Sequence, residues 1–185
     1  MPLSICVFCG SGKIYESRFV DAAGSLAAIC KSLDCKIIYG GAGIGLMGLI
    51  ADAAIEQGVE VTGIIPRFLQ TKEIAHGGLH NLEIVESMHE RKQRMLDLSD
   101  LFIIMPGGFG TLDEMFEMLT WSQLQLHNKP ILLWNIDGFY KHVIEHLKFL
   151  VQNQYIPNTD FNRLIICENF NEVSSFVKQY SVKIS

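Results

Sequence analysis

Apolar runs alternate with longer helix-forming segments along most of this chain of 185 residues. Several of the runs lack polar alternation, which is typical of parallel strands whose two faces are both covered by helices. The pattern predicts strands at Leu3–Cys9, Lys36–Tyr39, Val59–Ile65, Leu82–Val85, Leu101–Met105, Ile131–Trp134 and Leu164–Cys167. It predicts helices at about Ser17–Leu33, Gly45–Gln57, Met88–Leu98, Leu112–Leu126, Phe139–Val151 and Asn171–Tyr180.

This order of elements predicts an α/β fold, because strands that alternate with helices form right-handed crossovers and a parallel sheet. We expect a doubly wound, Rossmann-like parallel sheet with helices on both faces. One domain over residues 1–185 is expected, since this length is short for two buried cores. The segment Pro66–Asn81 breaks the alternation and is rich in glycine and histidine, so we expect a loop there, near the ligand site.

Composition narrows the range of partners. Apolar residues make up 49% of the chain and charged residues 19%, as in a compact globular protein. The formal net charge is −5, and lysines and arginines form no run. A nucleic-acid partner is therefore not expected, because affinity for a duplex comes mostly from neutralising its phosphates. A small anion fits this balance, since a helix terminus and one or two basic residues can hold one.

The cysteines indicate the compartment. There are five, scattered along the chain: Cys6, Cys9, Cys30, Cys35 and Cys167. An odd, scattered set predicts reduced thiols and a cytoplasmic location. Cys6 and Cys9 lie three apart on a strand and point to opposite faces, and the histidines show no metal spacing, so no metal site is expected. No apolar run approaches about 18 residues and no export signal is evident, so no membrane span is expected.

The stretch Pro106–Glu114 joins a buried strand to a long helix through a turn of three glycines. A helix that begins in such a turn presents unpaired N–H groups and the positive end of its dipole. Two interpretations stay open from these residues alone. In the first, Thr111 is the N-cap and Glu114 closes a capping box. In the second, the turn binds a phosphate or a carboxylate, with the Glu114 carboxylate beside it.

Two further glycine-rich turns follow predicted strands, at Cys9–Gly12 and Gly40–Gly48. Because parallel strands end at the same edge of a sheet, we expect all three turns to meet there. Gly43–Gly48 matches G-x-G-x-x-G, but the next strand ends without the carboxylate that a dinucleotide ribose needs, so NAD or FAD is disfavoured. Gly110 is followed by Thr111 without a lysine, so the stretch is not a phosphate-binding P-loop.

The helix Met88–Leu98 carries an arginine on its apolar face. Arg91, Met95 and Leu98 follow a helical i, i+4, i+7 spacing. Such an arginine either packs its stem while its head reaches water, or places its guanidinium beside a ligand phosphate or a carboxylate. Both interpretations remain open at this point.

Taken together, these residues resemble the signature of the LOG family, the cytokinin riboside 5′-monophosphate phosphoribohydrolases formerly described as lysine decarboxylases. The resemblance rests on Met88–Lys92 followed by Pro106–Glu114, and it runs from about Ile5 to Ile156. Supporting marks are Phe8–Ser11, Tyr39–Gly41, Gly45–Gly48 and Asn128–Pro130. Ala42, Gly43 and Gly12 depart from the family pattern, which leaves the details of nucleotide contact open.

The resemblance implies hydrolysis of the N-glycosidic bond of a purine nucleoside 5′-monophosphate to free base and ribose 5-phosphate, without a cofactor. It assigns catalytic roles to Arg91 and Glu114. It implies that the nucleotide is bound by Glu73, Lys92, Gly107, Gly108, Gly110 and Thr111. The resemblance also implies a homodimer, which agrees with the apolar residues all round the helix that follows the turn.

Two alternatives to this hydrolase are considered. The first is a nucleotide-binding or carrier protein of the same fold that performs no hydrolysis. The second is a lysine decarboxylase, which is disfavoured because no lysine has a recognisable pyridoxal phosphate environment.

Overall fold

The computed structural model describes residues 2–12, 16–70 and 75–184. Seven strands form one sheet, in the order β4-β3-β2-β1-β5-β6-β7, and every pairing between neighbours is parallel. The strands are β1 Ser4–Phe8, β2 Lys36–Tyr39, β3 Val61–Pro66, β4 Asn81–Val85, β5 Leu101–Ile104, β6 Ile131–Trp134 and β7 Leu164–Cys167. All seven predicted strands are therefore present.

Helices connect the other strands, whereas the described residues between β3 and β4 form only a 3₁₀ turn and irregular structure, and the predicted crossovers are confirmed. The helices are α1 Ser17–Ser32, α2 Gly45–Glu56, α3 Met88–Asp97, α4 Phe109–Gln123, α5 Lys141–Gln152, α6 Asn158–Phe161 and α7 Phe170–Ile184. Single 3₁₀ turns lie at Arg67–Leu69 and Ile136–Gly138. Within the described part of the chain, no helix is long and apolar enough to cross a membrane.

The sheet has a buried apolar core on each face. Along β1, Ile5 and Val7 face the core formed with α1, α2 and α7, whereas Cys6 and Phe8 face the core formed with α3, α4 and α5. Cys6 and Cys9 belong to different cores, which confirms that these two thiols point to opposite faces. The α/β sandwich with helices on both faces is thus confirmed, and the absence of polar alternation follows from it.

The chain reverses its direction of winding between β1 and β5, and this is where a crevice is expected in an open parallel sheet. All three glycine-rich turns, at Cys9–Gly12, Gly40–Gly48 and Pro106–Thr111, meet at this point. The Gly10 N–H donates to the carbonyl of Pro106 at 3.0 Å, and the Met47 N–H donates to the carbonyl of Gly10 at 3.2 Å. Backbone hydrogen bonds therefore tie the three turns into one floor.

Helix α4 begins earlier and ends earlier than the sequence pattern predicts. Gly108 is its N-cap, so Thr111 is the third residue of the helix and the prediction of Thr111 as N-cap is wrong. Gly110, which costs helix stability in isolation, is the second residue of the helix and is held there by the packing of the turn. At the other end, Leu124 is the C-cap and Gln125 has a left-handed φ of 61°, which stops the helix before Leu126.

Candidate active site

A cavity of about 510 Å³ opens above the junction of β1 and β5. Its floor is the first and third glycine turns, from Cys9 to Gly12 and from Pro106 to Thr111. Arg91 and Glu114, the two residues to which the resemblance assigns catalysis, both line it. Gly107, Gly108, Gly110 and Thr111 line it as well. Residues from α3, α4 and two turns therefore meet in one crevice, as the carboxyl-end argument predicts.

Arg91 is held almost entirely inside the protein. It is 3% exposed, and its Nη2 donates to the carbonyl of Gly40 at 3.1 Å. Its Nη1 lies 3.9 Å from the Met88 sulfur, and its Nε is buried without a hydrogen bond to a described residue. A buried guanidinium that is only partly hydrogen-bonded is costly, which favours the interpretation that it serves a ligand.

Glycine is required at position 40 for this placement of Arg91. A Cβ added at Gly40 would collide with Nη2 of Arg91 and would press on the Met47 side chain at 3.1 Å. Gly40 therefore has two roles: its carbonyl accepts a hydrogen bond from the guanidinium, and its lack of a side chain leaves room for the guanidinium. The sequence marks Gly40 only as part of a turn.

Glu114 lies in the second turn of α4 and is 4% exposed. The thiol of Cys9 responds to both charged residues of the site: burial raises its pKa well above the usual value, the Glu114 charge raises it further, and the Arg91 charge lowers it. The Glu114 carboxylate and the Arg91 guanidinium therefore both lie close enough to Cys9, on the cavity floor, to affect the pKa of its thiol. Cys9 itself stays a neutral thiol and is not suited to act as a nucleophile.

The glycine turn and the start of α4 form a surface suited to an anion. The first hydrogen bond within α4 runs from the Leu112 N–H to the Gly108 carbonyl at 3.0 Å. The preceding N–H groups, from Phe109 to Thr111, have no partner within the helix, and the helix dipole adds positive charge there. A Cβ at Gly107 would collide with Thr111 and would lie 2.9 Å from the Gly10 nitrogen. Only glycine lets the turns approach this closely.

One predicted binding residue, Lys92, does not line the cavity. Lys92 is buried but points to the side of α4, where its ammonium lies 2.7 Å from Asp113 and 3.0 Å from Glu117. Burial alone would lower the pKa of Lys92, but hydrogen bonds and the charges of Asp113 and Glu117 together raise it. Glu73 lies outside the described residues.

The cavity lining also includes residues that the sequence does not single out as site residues. Leu46, Met47, Met88 and Phe109 belong to the motifs and glycine turns expected at this edge, whereas Glu16, Phe19, Leu69 and Phe139 lie outside them. Phe139 could have been predicted, because β6 is the neighbour of β5 and its carboxyl end reaches the same edge. The positions of Glu16, Phe19 and Leu69 depend on how α1 and the turn after β3 pack beside the crevice, which no local pattern encodes. Among the described residues, no group of three or more His, Cys, Asp and Glu could hold a metal ion.

The fold and the site define an α/β protein with a glycine turn at a helix N-terminus and a buried arginine and glutamate at its topological switch point. The model of a family described as "Possible lysine decarboxylase" matches residues 47–177. A cytokinin riboside 5′-monophosphate phosphoribohydrolase of Arabidopsis thaliana is 37% identical over 96% of this chain and 82% of its own length. An enzyme of the same name from Rhodococcoides fascians is 38% identical over 91% of this chain and 85% of its own.

The chain therefore belongs to the LOG family of cytokinin riboside 5′-monophosphate phosphoribohydrolases, which confirms the resemblance seen in its motifs.

Solved structures with the same fold include molybdenum cofactor proteins. The molybdenum cofactor carrier protein of Chlamydomonas reinhardtii has a TM-score of 0.74 at 17% identity, with 99% of both chains covered. A molybdenum cofactor binding protein of Rippkaea orientalis has a TM-score of 0.70 at 20% identity, with 97% of this chain and 98% of that one covered. At these identities the likeness concerns the fold, and it confirms the predicted α/β class.

Proposed function

We propose that the protein hydrolyses the N-glycosidic bond of a purine nucleoside 5′-monophosphate and releases free base and ribose 5-phosphate. The observation that carries the proposal is the burial of Arg91 and Glu114, 3% and 4% exposed, against one cavity whose floor is an anion-binding glycine turn. Family membership and the names of the relatives support the same reaction.

The reaction fits the two charged residues. Breaking a ribosyl C–N bond develops positive charge on the sugar, and a nearby carboxylate stabilises that charge and orients the attacking water. We assign this role to Glu114. An arginine does not readily give up a proton, so Arg91 is assigned to binding and orientation of the ribose and the carboxylate rather than to acid catalysis. Water supplies the oxygen that ends on the sugar, and the base leaves with a proton.

The 5′-phosphate is proposed to lie on the turn formed by Gly107, Gly108, Gly110 and Thr111. The free N–H groups at the start of α4 and its dipole favour a dianion there. With the phosphate on the turn, the sugar and the base extend toward Arg91, Glu114 and the apolar wall that includes Phe19 and Phe139. A wall of this kind suits a flat purine ring.

Glu73 and Lys92 are the remaining residues of the proposed binding set, and each is proposed on a different ground. Glu73 is proposed as a nucleotide contact on the family pattern alone. For Lys92 we propose an effect through α4: its ammonium joins Asp113 and Glu117, the residues that flank Glu114 by one and three positions. This ion pair fixes the rotation of the helix that carries the catalytic carboxylate.

We further propose a cytoplasmic homodimer. All five cysteines are free and buried, which is typical of a reducing compartment. Three apolar side chains of the α4 segment are exposed in the single chain, Phe109 at 93%, Phe116 at 41% and Leu124 at 63%. A second copy of the chain would cover them.

The proposal is tested with AMP and with AMP that carries an isoprenoid group on N6. Each nucleotide is incubated with the protein, and free base is measured by chromatography and ribose 5-phosphate by an enzyme-coupled assay. We expect both products in equal amounts from at least one nucleotide. Binding of AMP with measurable heat but without either product would instead support a nucleotide carrier of the same fold.

A further inference from the structure

Tyr140 lies directly beneath the glycine turn that is proposed to hold the phosphate. It is 2% exposed and does not line the cavity. Its hydroxyl donates to the carbonyl of Met105 at 2.8 Å. The residue that precedes Pro106 and opens the turn is thus held by the phenol oxygen.

A rigid turn after β6 brings Tyr140 to this place. Asp137 and Gly138 have left-handed φ angles of 49° and 73°. The Asn135 side chain accepts from the Tyr140 N–H at 2.7 Å and donates to Glu168 at 2.8 Å. These bonds fix the backbone of Tyr140 from both sides, so the hydroxyl has little freedom to leave the turn.

The ring of Tyr140 also connects the turn to the cavity wall. Phe139, which lines the cavity, packs edge-to-face on Tyr140 with ring centroids 4.9 Å apart, and on Phe19 with centroids 6.2 Å apart. Two neighbouring residues therefore contact different parts of the site. Phe139 forms part of the cavity wall, and Tyr140 lies beneath the glycine turn of the cavity floor.

The protonation state of Tyr140 suits a permanent support. Burial raises the pKa of Tyr140 well above its ordinary value, and the nearby Cys9 and Glu114 raise it further against the opposing effect of the Gly107 backbone. The hydroxyl therefore keeps its proton at neutral pH and can donate it to the Met105 carbonyl.

We propose that Tyr140 is a positioning residue that sets the glycine turn for binding of the 5′-phosphate, a role that rests on the proposed function of the site. Its hydroxyl donates to the Met105 carbonyl, directly before the turn. The N–H groups that follow, from Phe109 to Thr111, are then left aimed at the ligand. Without the hydroxyl, the turn would lose this bond at its start, and the N–H groups would no longer be held in one arrangement.

This role predicts an effect on phosphate binding that is separate from chemistry. The turn holds the phosphate in the ground state and in the transition state alike, so its loosening raises KM and leaves kcat nearly unchanged. Tyr140 does not line the cavity and has no described contact with Arg91, so binding of the nucleoside part is expected to stay as it is.

The test uses Tyr140→Phe, which keeps the ring and removes only the hydroxyl. Binding of ribose 5-phosphate and of adenosine is measured by titration calorimetry, and KM and kcat are measured with AMP. The matched control is Tyr180→Phe on α7, whose hydroxyl donates to the Asp100 carbonyl at 3.4 Å at the opposite end of β5. We expect Tyr140→Phe to bind ribose 5-phosphate about tenfold more weakly and adenosine within about twofold of wild type.

Each other outcome has a defined meaning. If Tyr140→Phe binds ribose 5-phosphate as wild type does, or loses affinity for both ligands equally, the positioning role is overturned. A wild type that binds no ribose 5-phosphate overturns it too. If wild type binds ribose 5-phosphate and AMP but releases no base, the proposed hydrolysis fails, whereas the expected loss of ribose 5-phosphate affinity in Tyr140→Phe would still support the positioning role.

Discussion

Arg91 is the residue whose surroundings say most about the site. Its guanidinium is 3% exposed and makes one hydrogen bond to a backbone carbonyl, that of Gly40, at 3.1 Å. An arginine buried for stability alone is usually hydrogen-bonded on all sides, because each uncompensated donor costs free energy. The incomplete set at Arg91 is the kind of local cost that proteins keep at functional sites.

Gly40→Ala tests how strictly the position of Arg91 matters. The new Cβ would occupy the space of Nη2, so the guanidinium must move or the turn must open. We expect kcat/KM for base release to fall about 100-fold, because a displacement of about 1 Å in a catalytic group can cost that much. Steady-state kinetics with AMP measures the change.

Gly24→Ala is the matched control for this substitution. Gly24 lies in α1, and a Cβ there meets nothing within 4 Å. It should keep wild-type kinetics and gain about 0.5–1 kcal/mol of stability from the better helix former. Wild-type kinetics in Gly40→Ala would contradict the claim that the reaction depends on the position of the Arg91 guanidinium.

Lys92→Gln separates a role in helix positioning from direct contact with the nucleotide. The substitution leaves Asp113 and Glu117 without their cation, so we expect a loss of about 2 kcal/mol in the free energy of unfolding. Urea titration measures it. Because Lys92 does not line the cavity, KM for AMP is expected to change less than about threefold. A large rise in KM with unchanged stability would instead indicate direct contact.

The stabilisation by Lys92 has a defined pH dependence. The pKa of Lys92 is raised in the folded protein above its ordinary value of 10.5. A raised pKa contributes stability fully below the unfolded pKa and loses it as the pH rises through the folded one. The difference in unfolding free energy between wild type and Lys92→Gln should therefore be constant near neutral pH and shrink above about pH 10.5. A difference that vanishes already near pH 7 would contradict the ion pair.

At the residue scale, the sequence could reveal Arg91 but not Gly40. The spacing of Arg91 with Met95 places it on the buried face of α3, because helical periodicity is a local property. Contact between Arg91 and Gly40 spans 51 residues of sequence and depends on how α3 packs beside the second glycine turn. No local pattern contains that information.

At the scale of elements, the glycine turn and α4 work as one unit. The Gly10 N–H bonds the Pro106 carbonyl at 3.0 Å, and the Tyr140 hydroxyl bonds the Met105 carbonyl at 2.8 Å, so the turn is held from two neighbouring loops. Helix α4 then begins from a fixed point, with its first N–H groups at the cavity. A support of this kind would reduce the ordering cost of the proposed phosphate binding by backbone groups.

Gly107→Ala tests this unit. Its Cβ would collide with Thr111 and approach the Gly10 nitrogen to 2.9 Å, so the turn and the start of α4 must separate. We expect affinity for ribose 5-phosphate, measured by calorimetry, to fall at least about tenfold. Gly24→Ala again serves as the control and should bind like wild type. Unchanged binding by Gly107→Ala would remove the turn from the proposed phosphate site.

Element types could be predicted from the sequence better than element ends. The run Leu101–Met105 is apolar throughout, and the structure confirms a buried strand at Leu101–Ile104. The sequence pattern predicts the start of α4 at Leu112, three residues late, because glycines count against a helix locally. Tertiary contacts beneath the turn override that preference and put Phe109 into the helix. The support by Tyr140 has no signal in the sequence, since it links residues 35 apart.

At the scale of the whole molecule, the exposed apolar residues of the α4 segment bear on assembly. The sequence pattern predicts a helix that is buried all round, yet Phe109 is 93% exposed and Leu124 is 63% exposed in the single chain. Met115 and Met118, by contrast, are fully buried against the sheet. One side of the helix therefore belongs to the core, and the other is proposed to belong to the interface of a homodimer.

Leu124→Asp tests the homodimer. A charge at the centre of an apolar interface is costly, so we expect the variant to be monomeric at micromolar concentration by light scattering, while wild type has twice the mass of the chain. Val182→Asp on α7 is the control: Val182 is 79% exposed and lies on the opposite side of the sheet from α4. Wild type with the mass of one chain would contradict the proposal.

Hydrolysis of the N-glycosidic bond at Arg91 and Glu114 is tested by comparing wild type, Glu114→Gln and Arg91→Ala in one assay. Each protein is given AMP and its N6-isoprenoid form, and adenine-type base and ribose 5-phosphate are quantified together. We predict equimolar products from wild type, a fall of at least about 100-fold in both variants, and retained binding of the nucleotide by Glu114→Gln. If wild type binds the nucleotides without releasing base, or if Glu114→Gln releases base as fast as wild type, the proposed hydrolysis at this site is wrong.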